Sequence, residues 1–162
     1  YVSPLVTEGM AQKFCNNAPG ALTPQPYPEK PFAATSSNLE EWTYFQGQFM
    51  DIHLRAIKDL KHLLGSATID KEKFQAAYDN YWTWKAGEME GKNFMLGRQY
   101  YYGTELLGVI QAALGRDTLF EGLIDFRKIP ILFNEGIKKL HPSDYEPYLF
   151  PEDIINMVQE LY

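Results

Sequence analysis

A chain of 162 residues with 45% hydrophobic residues can bury one real core and is not disordered by composition. The net charge is −6 and the lysines and arginines are scattered among acids with no basic run, which disfavours nucleic acid or an anionic membrane as partner. The longest apolar runs, such as Ile129-Pro130-Ile131-Leu132-Phe133, are too short for a transmembrane helix, and a single cysteine, Cys15, rules out an internal disulfide.

Ser3-Pro4 opens the first element, a capping residue followed by a proline suited to the first helical position. This helix is expected to reach Phe14 or Cys15 and to stop at Asn16-Asn17. Cys15 then sits on an apolar face as a small buried hydrophobe, and no histidine lies near it in sequence to make it a nucleophile. Residues 16–36 hold five of the ten prolines (Pro19, Pro24, Pro26, Pro28 and Pro31), so this stretch reads as a long connecting loop strapped across the helices.

Ser37-Asn38-Leu39-Glu40 has the form of a capping box. Behind it, Trp42, Phe45, Phe49, Ile52, Ala56, Leu60 and Leu63 recur at three and four residues, one apolar stripe on a helix of about 26 residues ending at Gly65. Asp70 is expected to cap the next helix, whose buried stripe is Phe74, Ala77, Tyr78, Tyr81 and Trp82, with Gly87 and Gly91 breaking it. Residues 78, 81, 82 and 85 share a helix face, which leaves Trp84 off it and exposed, a pointer to a partner surface. A further strong helix runs from about Asn93 to Leu114 and ends at Gly115, with Tyr100, Gly103, Leu107, Ile110 and Leu114 on one face. Asp117 caps a short helix through Leu123. Pro130 starts another that ends near His141-Pro142, and Pro151 starts the last, through Leu161. Few stretches alternate with period two, and there is neither an internal repeat nor a βαβ rhythm. The class is all-α: one domain over 1–162, a compact bundle of six or seven helices with a long proline-rich connecting loop.

The histidines are His53, His62 and His141, spaced 9 and 79 apart. None forms His-Glu-x-x-His, which works because positions i and i+4 lie one turn apart on one helix face. Asp59-x-x-His62 also puts two candidate ligands one turn apart, but a four-helix di-metal site needs Glu-x-x-His on two helices and two further glutamates. Glu105 lies inside an apolar helix, and an unpaired buried charge is costly. Arg98, Arg55 and His53 are its candidate partners across a helix contact. The chain contains no Gly-x-Gly-x-x-Gly, no phosphate loop and no Gly-x-Ser-x-Gly elbow.

Two patches carry a resemblance. The first is Thr7-Glu8-Gly9-Met10-Ala11, which is similar to the Asn-Glu-Gly-Phe-Ala pattern of the aminopeptidase branch of the gluzincin metallopeptidases. The second is Tyr100-Tyr101-Tyr102-Gly103, leading into Ala113-Leu114-Gly115-Arg116-Asp117-Thr118-Leu119-Phe120-Glu121-Gly122-Leu123. It resembles Tyr-x-x-Gly, an apolar helix, then Leu-Gly, an acid, Phe and Gly-Leu in the same enzymes. The tail Asp125 to Glu135 looks like that of several bacterial zinc-peptidase families. The two patches cover residues 3–15 and 95–135, about a third of the chain. Tyr102 stands where the family's usual lysine precedes the glycine.

The resemblance implies zinc, a peptide or protein substrate, Glu8 as the third metal ligand and Tyr100 as the donor that stabilises a tetrahedral oxyanion. The chemistry suits both: a glutamate offers zinc a hard oxygen, the neighbouring glycine permits close helix packing, and a phenol can aim its proton at developing charge. In the family the histidine helix precedes the glutamate helix. An upstream segment or a separate chain would therefore supply the histidines and the general base, and these residues would be the C-terminal portion of a longer protein. Alone they would bind zinc poorly and cleave no peptide, because a catalytic zinc takes three protein ligands.

Read without the resemblance, Glu8 suits a solvated acid in the first turns of a helix. Tyr100 suits a core aromatic with its hydroxyl satisfied. The chain would then be a non-catalytic helical module that binds a protein or peptide through Trp84 or the proline-rich strap.

Overall fold

The computed structural model describes residues 2–15, 20–22, 36–65, 70–81 and 98–160, and every regular element among them is helical. Helix α1 spans Val2–Met10 and passes directly into a π-helical turn, Ala11–Cys15. Next come α2 (Ser36–Gly47), α3 (Phe49–Gly65), α4 (Lys71–Tyr81) and α5 (Arg98–Leu114). The chain continues through α6 (Arg116–Ile124), α7 (Ile129–Leu140) and α8 (Glu152–Glu160), with single 3-10 turns at Phe126–Lys128 and Glu146–Tyr148. The architecture is all-α, with eight α-helices among the described residues rather than six or seven. Of the strap expected over 16–36, residues 16–19 and 23–35 lie outside the described residues, as do the predicted breaks at Gly87 and Gly91, and Trp82 and Trp84.

The extra helix has a local cause. The long helix expected up to Gly65 is two, α2 and α3, separated at Gln48 directly after Gly47. Gln48 N–H still donates to the carbonyls of Tyr44 (3.1 Å) and Phe45 (3.2 Å), and the Gln48 carbonyl accepts from Ile52 (3.0 Å). The ladder is bent rather than cut, as glycine in a helix interior allows. The apolar stripe carries across the bend, since Trp42, Phe45, Phe49, Ile52, Ala56, Leu60 and Leu63 are all buried.

Two helix starts are the expected ones. The Asp70 carboxylate accepts the N–H groups of Glu72 and Lys73, both at 3.1 Å, and caps α4. Phe74, Ala77 and Tyr78 on α4 are only partly buried, so this helix lies at the edge of the core. Pro130 sits in the first turn of α7. Asp117, by contrast, does not cap α6. Gly115 holds that position with φ 90°, no side chain caps the helix, and Asp117 falls inside its first turn. A positive φ lets one residue turn the chain from α5 into α6, which any other side chain would resist.

Helix α5 is the axis of the domain. The expected single face, Tyr100 to Leu114, understates its burial: every residue from Tyr101 to Ile110 is buried. Against α1 the contact is backbone on backbone. A Cβ added at Gly9 would lie 2.4 Å from the Gly103 carbonyl carbon, and one at Gly103 would lie 2.0 Å from the Leu5 carbonyl oxygen. Elsewhere rings fill the space. Tyr101 packs against Trp42 and Phe45 at centroid distances of 4.6 and 5.2 Å. The C-terminal helices close the core: the Asn134 amide pairs with both backbone groups of Phe150 at 2.9 and 2.8 Å. Lys61 on α3 pairs with Asp153 on α8.

Candidate functional site

The glycine crossing sets the position of the polar groups on either side of it. Glu8 precedes Gly9 on α1, and Tyr100 lies one turn before Gly103 on α5. With no Cβ between the backbones, the two helices approach closely enough for the Tyr100 hydroxyl to donate to the Glu8 carboxylate. Both side chains are half-buried. Burial, then the Glu8 charge, then that hydrogen bond hold the Tyr100 phenol above its ordinary pKa, so it keeps its proton and remains a donor.

Tyr78 on α4 joins them. Burial raises its pKa first, and the charges of Asp79 and Glu8 and the nearby Tyr100 push it the same way. The sequence reading placed Tyr78 on the buried stripe of its helix, with no role at the Glu8 site. Its convergence with Glu8 and Tyr100 depends on how α4 docks, which no local pattern encodes. The site so assembled is one carboxylate with the protonated Tyr100 phenol beside it and Tyr78 within reach of its charge, able to hold a cation on the carboxylate and to donate from Tyr100 to an oxygen that gains negative charge.

Two further polar centres lie in the core around α5. Glu105 is fully buried, and its carboxylate accepts the N–H groups of Ala21 at 2.5 Å and Leu22 at 2.8 Å. Its charged neighbour is Lys13, itself 1% exposed, not Arg55 or His53 as the sequence suggested; the side chain of Arg98 lies outside those described. The π-helical turn explains the substitution, because widening the coil after Met10 changes which residues of Ala11–Cys15 face inward. Burial outweighs attraction for both partners: it raises the Glu105 carboxyl, against the pull of the two amides and of Lys13, and it lowers Lys13 despite Glu105. The Ala21–Leu22 turn is thereby tied to α5, and Gln46 on α2 holds it from the other side by donating to the Gly20 carbonyl at 3.1 Å.

The second centre is His53. It is fully buried among Phe49, Tyr102, Phe133 and Phe150, with ring centroids 5.7 to 5.9 Å away. Nδ1 lies 2.7 Å from the Tyr102 hydroxyl. Nε2 has no hydrogen-bond partner among the described residues, and the Tyr148 backbone near the ring favours its protonated form only weakly against burial. Desolvation lowers the His53 pKa to about 4, so the imidazole is neutral. It is the fourth residue after Phe49 and so lies on the buried face of α3, although the sequence reading left it out of the stripe.

The other predicted ligands do not assemble. His62 is exposed on α3, one turn from a half-buried Asp59. His141 stacks on Tyr148 at 5.4 Å with Asp144 at 3.8 Å. Among the described residues no three of His, Cys, Asp and Glu converge as a metal site. Comparison with known protein families, with curated proteins and with solved structures finds no match. No described helix is long and apolar enough to cross a membrane.

Proposed function

We propose that these residues are the C-terminal helical portion of a gluzincin-type zinc metallopeptidase, in which Glu8 gives the third metal ligand and Tyr100 the oxyanion donor for hydrolysis of a peptide or protein substrate. One observation carries this reading. The two stretches that resemble the family are some ninety positions apart in the chain, yet their glycines touch and the Tyr100 phenol donates to the Glu8 carboxylate. In the resemblance these are the residues that act on one substrate carbonyl.

The residues present fit zinc in part. Glu8 is a suitable oxygen ligand, and the protonated Tyr100 beside it is a suitable donor. The imidazoles are not in this arrangement: His53 is engaged with Tyr102 in its aromatic box, and His62 and His141 sit on other elements. An upstream segment or a separate chain would supply them, together with the general base. When bound, zinc would activate the water that attacks the peptide carbonyl. The chain's own part is to fix a ligand and an oxyanion donor at a set spacing through a rigid glycine contact.

The test begins with the coding sequence upstream of Tyr1 and with peptide hydrolysis by the complete protein. A His-Glu-x-x-His segment is expected there, with zinc-dependent cleavage. Glu8→Gln should lose zinc, whereas Tyr100→Phe should keep zinc and lose roughly a hundredfold in kcat, the cost of one oxyanion donor. A complete protein without that segment and without cleavage would overturn the proposal, and the Glu8–Tyr100 bond would then be a structural tie in a non-catalytic helical module.

A further inference from the structure

A pocket of about 220 Å³ opens between the end of α1, the π-helical turn, α5 and α6. Its walls are the side chains of Met10, Phe14, Leu119 and Leu123. Two features show that the chain's own described packing does not close it. Met10 is 37% exposed and Phe120, at the rim, is 44% exposed, high values for large apolar side chains bordering a cavity. The polar lining is limited to Gln111 and Arg116.

The size bounds the ligand. An apolar protein cavity of about 150 Å³ takes up benzene. A pocket somewhat larger has room for one ring or a short branched chain with a small head group, and not for an extended peptide or a long acyl chain. Charge then selects the head group. Arg116 is the one ionised side chain in the lining, in a protein whose net charge is −6. Its guanidinium lies over the Phe120 ring, 5.2 Å from the centroid, rather than on a carboxylate of the described residues. The ring beside it holds the cation at the pocket, and a guanidinium can receive a carboxylate with two parallel hydrogen bonds. The Gln111 amide offers a further donor at the same pocket.

We propose that this pocket binds a small monocarboxylate with an aryl or short branched-acyl body, the body between Met10, Phe14, Leu119 and Leu123 and the carboxylate on Arg116. The site stands apart from the peptidase reading, since neither Glu8 nor Tyr100 lines it. Arg116 and Phe120 are exposed, so substitutions there should leave the fold intact.

The experiment is a titration of the 162-residue chain with phenylacetate and with phenylacetamide, its neutral isostere, followed by methyl NMR of Met10, Leu119 and Leu123. Saturable shifts at these methyls are expected with phenylacetate, with a Kd below about 1 mM, within reach of a ligand of this size. Phenylacetamide should bind at least tenfold more weakly, and Arg116→Gln should weaken phenylacetate by a similar factor while leaving the amide unchanged. Phe120→Ala should weaken both probes. No saturable shift up to about 10 mM, far above the Kd expected for a ligand of this size, would overturn the assignment. So would equal affinity for acid and amide, or an Arg116→Gln protein that binds phenylacetate as the parent does.

Discussion

Helix α5 meets its neighbours in two different ways. Against α1 the backbones touch at Gly9 and Gly103, with no side chain between them. Against α3 the helix is held off by rings, and contact runs through Tyr102, His53 and the phenylalanines around them. The glycine junction has no slack, so it can fix the spacing of the polar groups beside it. The aromatic junction fills a volume and tolerates adjustment, but it encloses a polar pair whose protonation it must control. Rigidity in the first is steric and in the second electrostatic, and the two should fail under different perturbations.

The largest effect is expected at the glycine junction. In Gly103→Ala the new methyl would lie 2.0 Å from the Leu5 carbonyl oxygen, a backbone atom with nowhere to go. The helices must separate, at a cost of about 4 kcal/mol or more in urea unfolding, or the chain does not accumulate folded. Gly47→Ala is the control, because a Cβ there meets nothing within 4 Å and alanine favours helix. It should be neutral or stabilising by up to about 1 kcal/mol. Equal effects of the two substitutions would remove the contrast.

The aromatic junction should fail with pH instead. Folding lowers the His53 pKa from its ordinary 6.5 to about 4. The unfolded chain therefore takes up a proton first as pH falls. His53 costs no stability above pH 6.5, and its penalty grows through the window from 6.5 down to 4. The full penalty is about 3 kcal/mol, from 1.36 kcal/mol per pH unit. The measurement is unfolding free energy against pH for the parent and for His53→Gln, which cannot titrate. The difference between the two should change across that window; parallel curves would mean that His53 does not govern acid stability.

How far all this was legible in the sequence differs between the junctions. The stripe from Trp42 to Leu63 identified the buried face of α2 and α3, because a period near 3.6 reports a buried face whatever lies opposite, but it left out His53, which the sequence offered only as a partner for Glu105. It failed at Gly47, since the apolar repeat runs on through a bend that costs no burial. For α5 the pattern showed one face where nearly all sides are buried, because Tyr101, Tyr102, Thr104 and Glu105 look polar one at a time. Their partners come from distant elements: Lys13 from a π-helical turn, and His53 from α3. The glycine junction was not readable by periodicity at all. Gly9 and Gly103 are each unremarkable, and only the family resemblance around them pointed to Glu8 and Tyr100 as a pair.

A smaller effect separates packing from hydrogen bonding within the aromatic junction. Tyr102→Phe keeps the ring and removes the hydroxyl that lies 2.7 Å from His53 Nδ1, in a site closed to water. Both imidazole nitrogens then lack a good partner, at a cost of about 1–2 kcal/mol. The urea midpoint should fall with the slope unchanged. An unchanged midpoint would mean that the rings alone hold α3 to α5.

The smallest change in stability is expected at Tyr100, and it is the one that bears on function. Its hydroxyl is half-buried and its bond to Glu8 lies at the edge of the crossing, so water can replace the lost partner in Tyr100→Phe. The cost should stay below about 1 kcal/mol. What should move is the titration of the phenol itself. The folded pKa is raised, so the contribution of Tyr100 to stability is complete below the ordinary tyrosine value and is lost as pH rises through the folded value. Ring-labelled NMR, with Tyr100→Phe to assign the resonance, should show Tyr100 titrating above its ordinary range. Glu8→Gln should bring it back toward that range, because the charge is removed while burial remains. If Glu8→Gln leaves the Tyr100 titration in place, the two groups do not sense each other across the glycine contact. The stiffest junction in the molecule would then serve packing alone, and the pairing of Glu8 with Tyr100 would lose its claim to be a site.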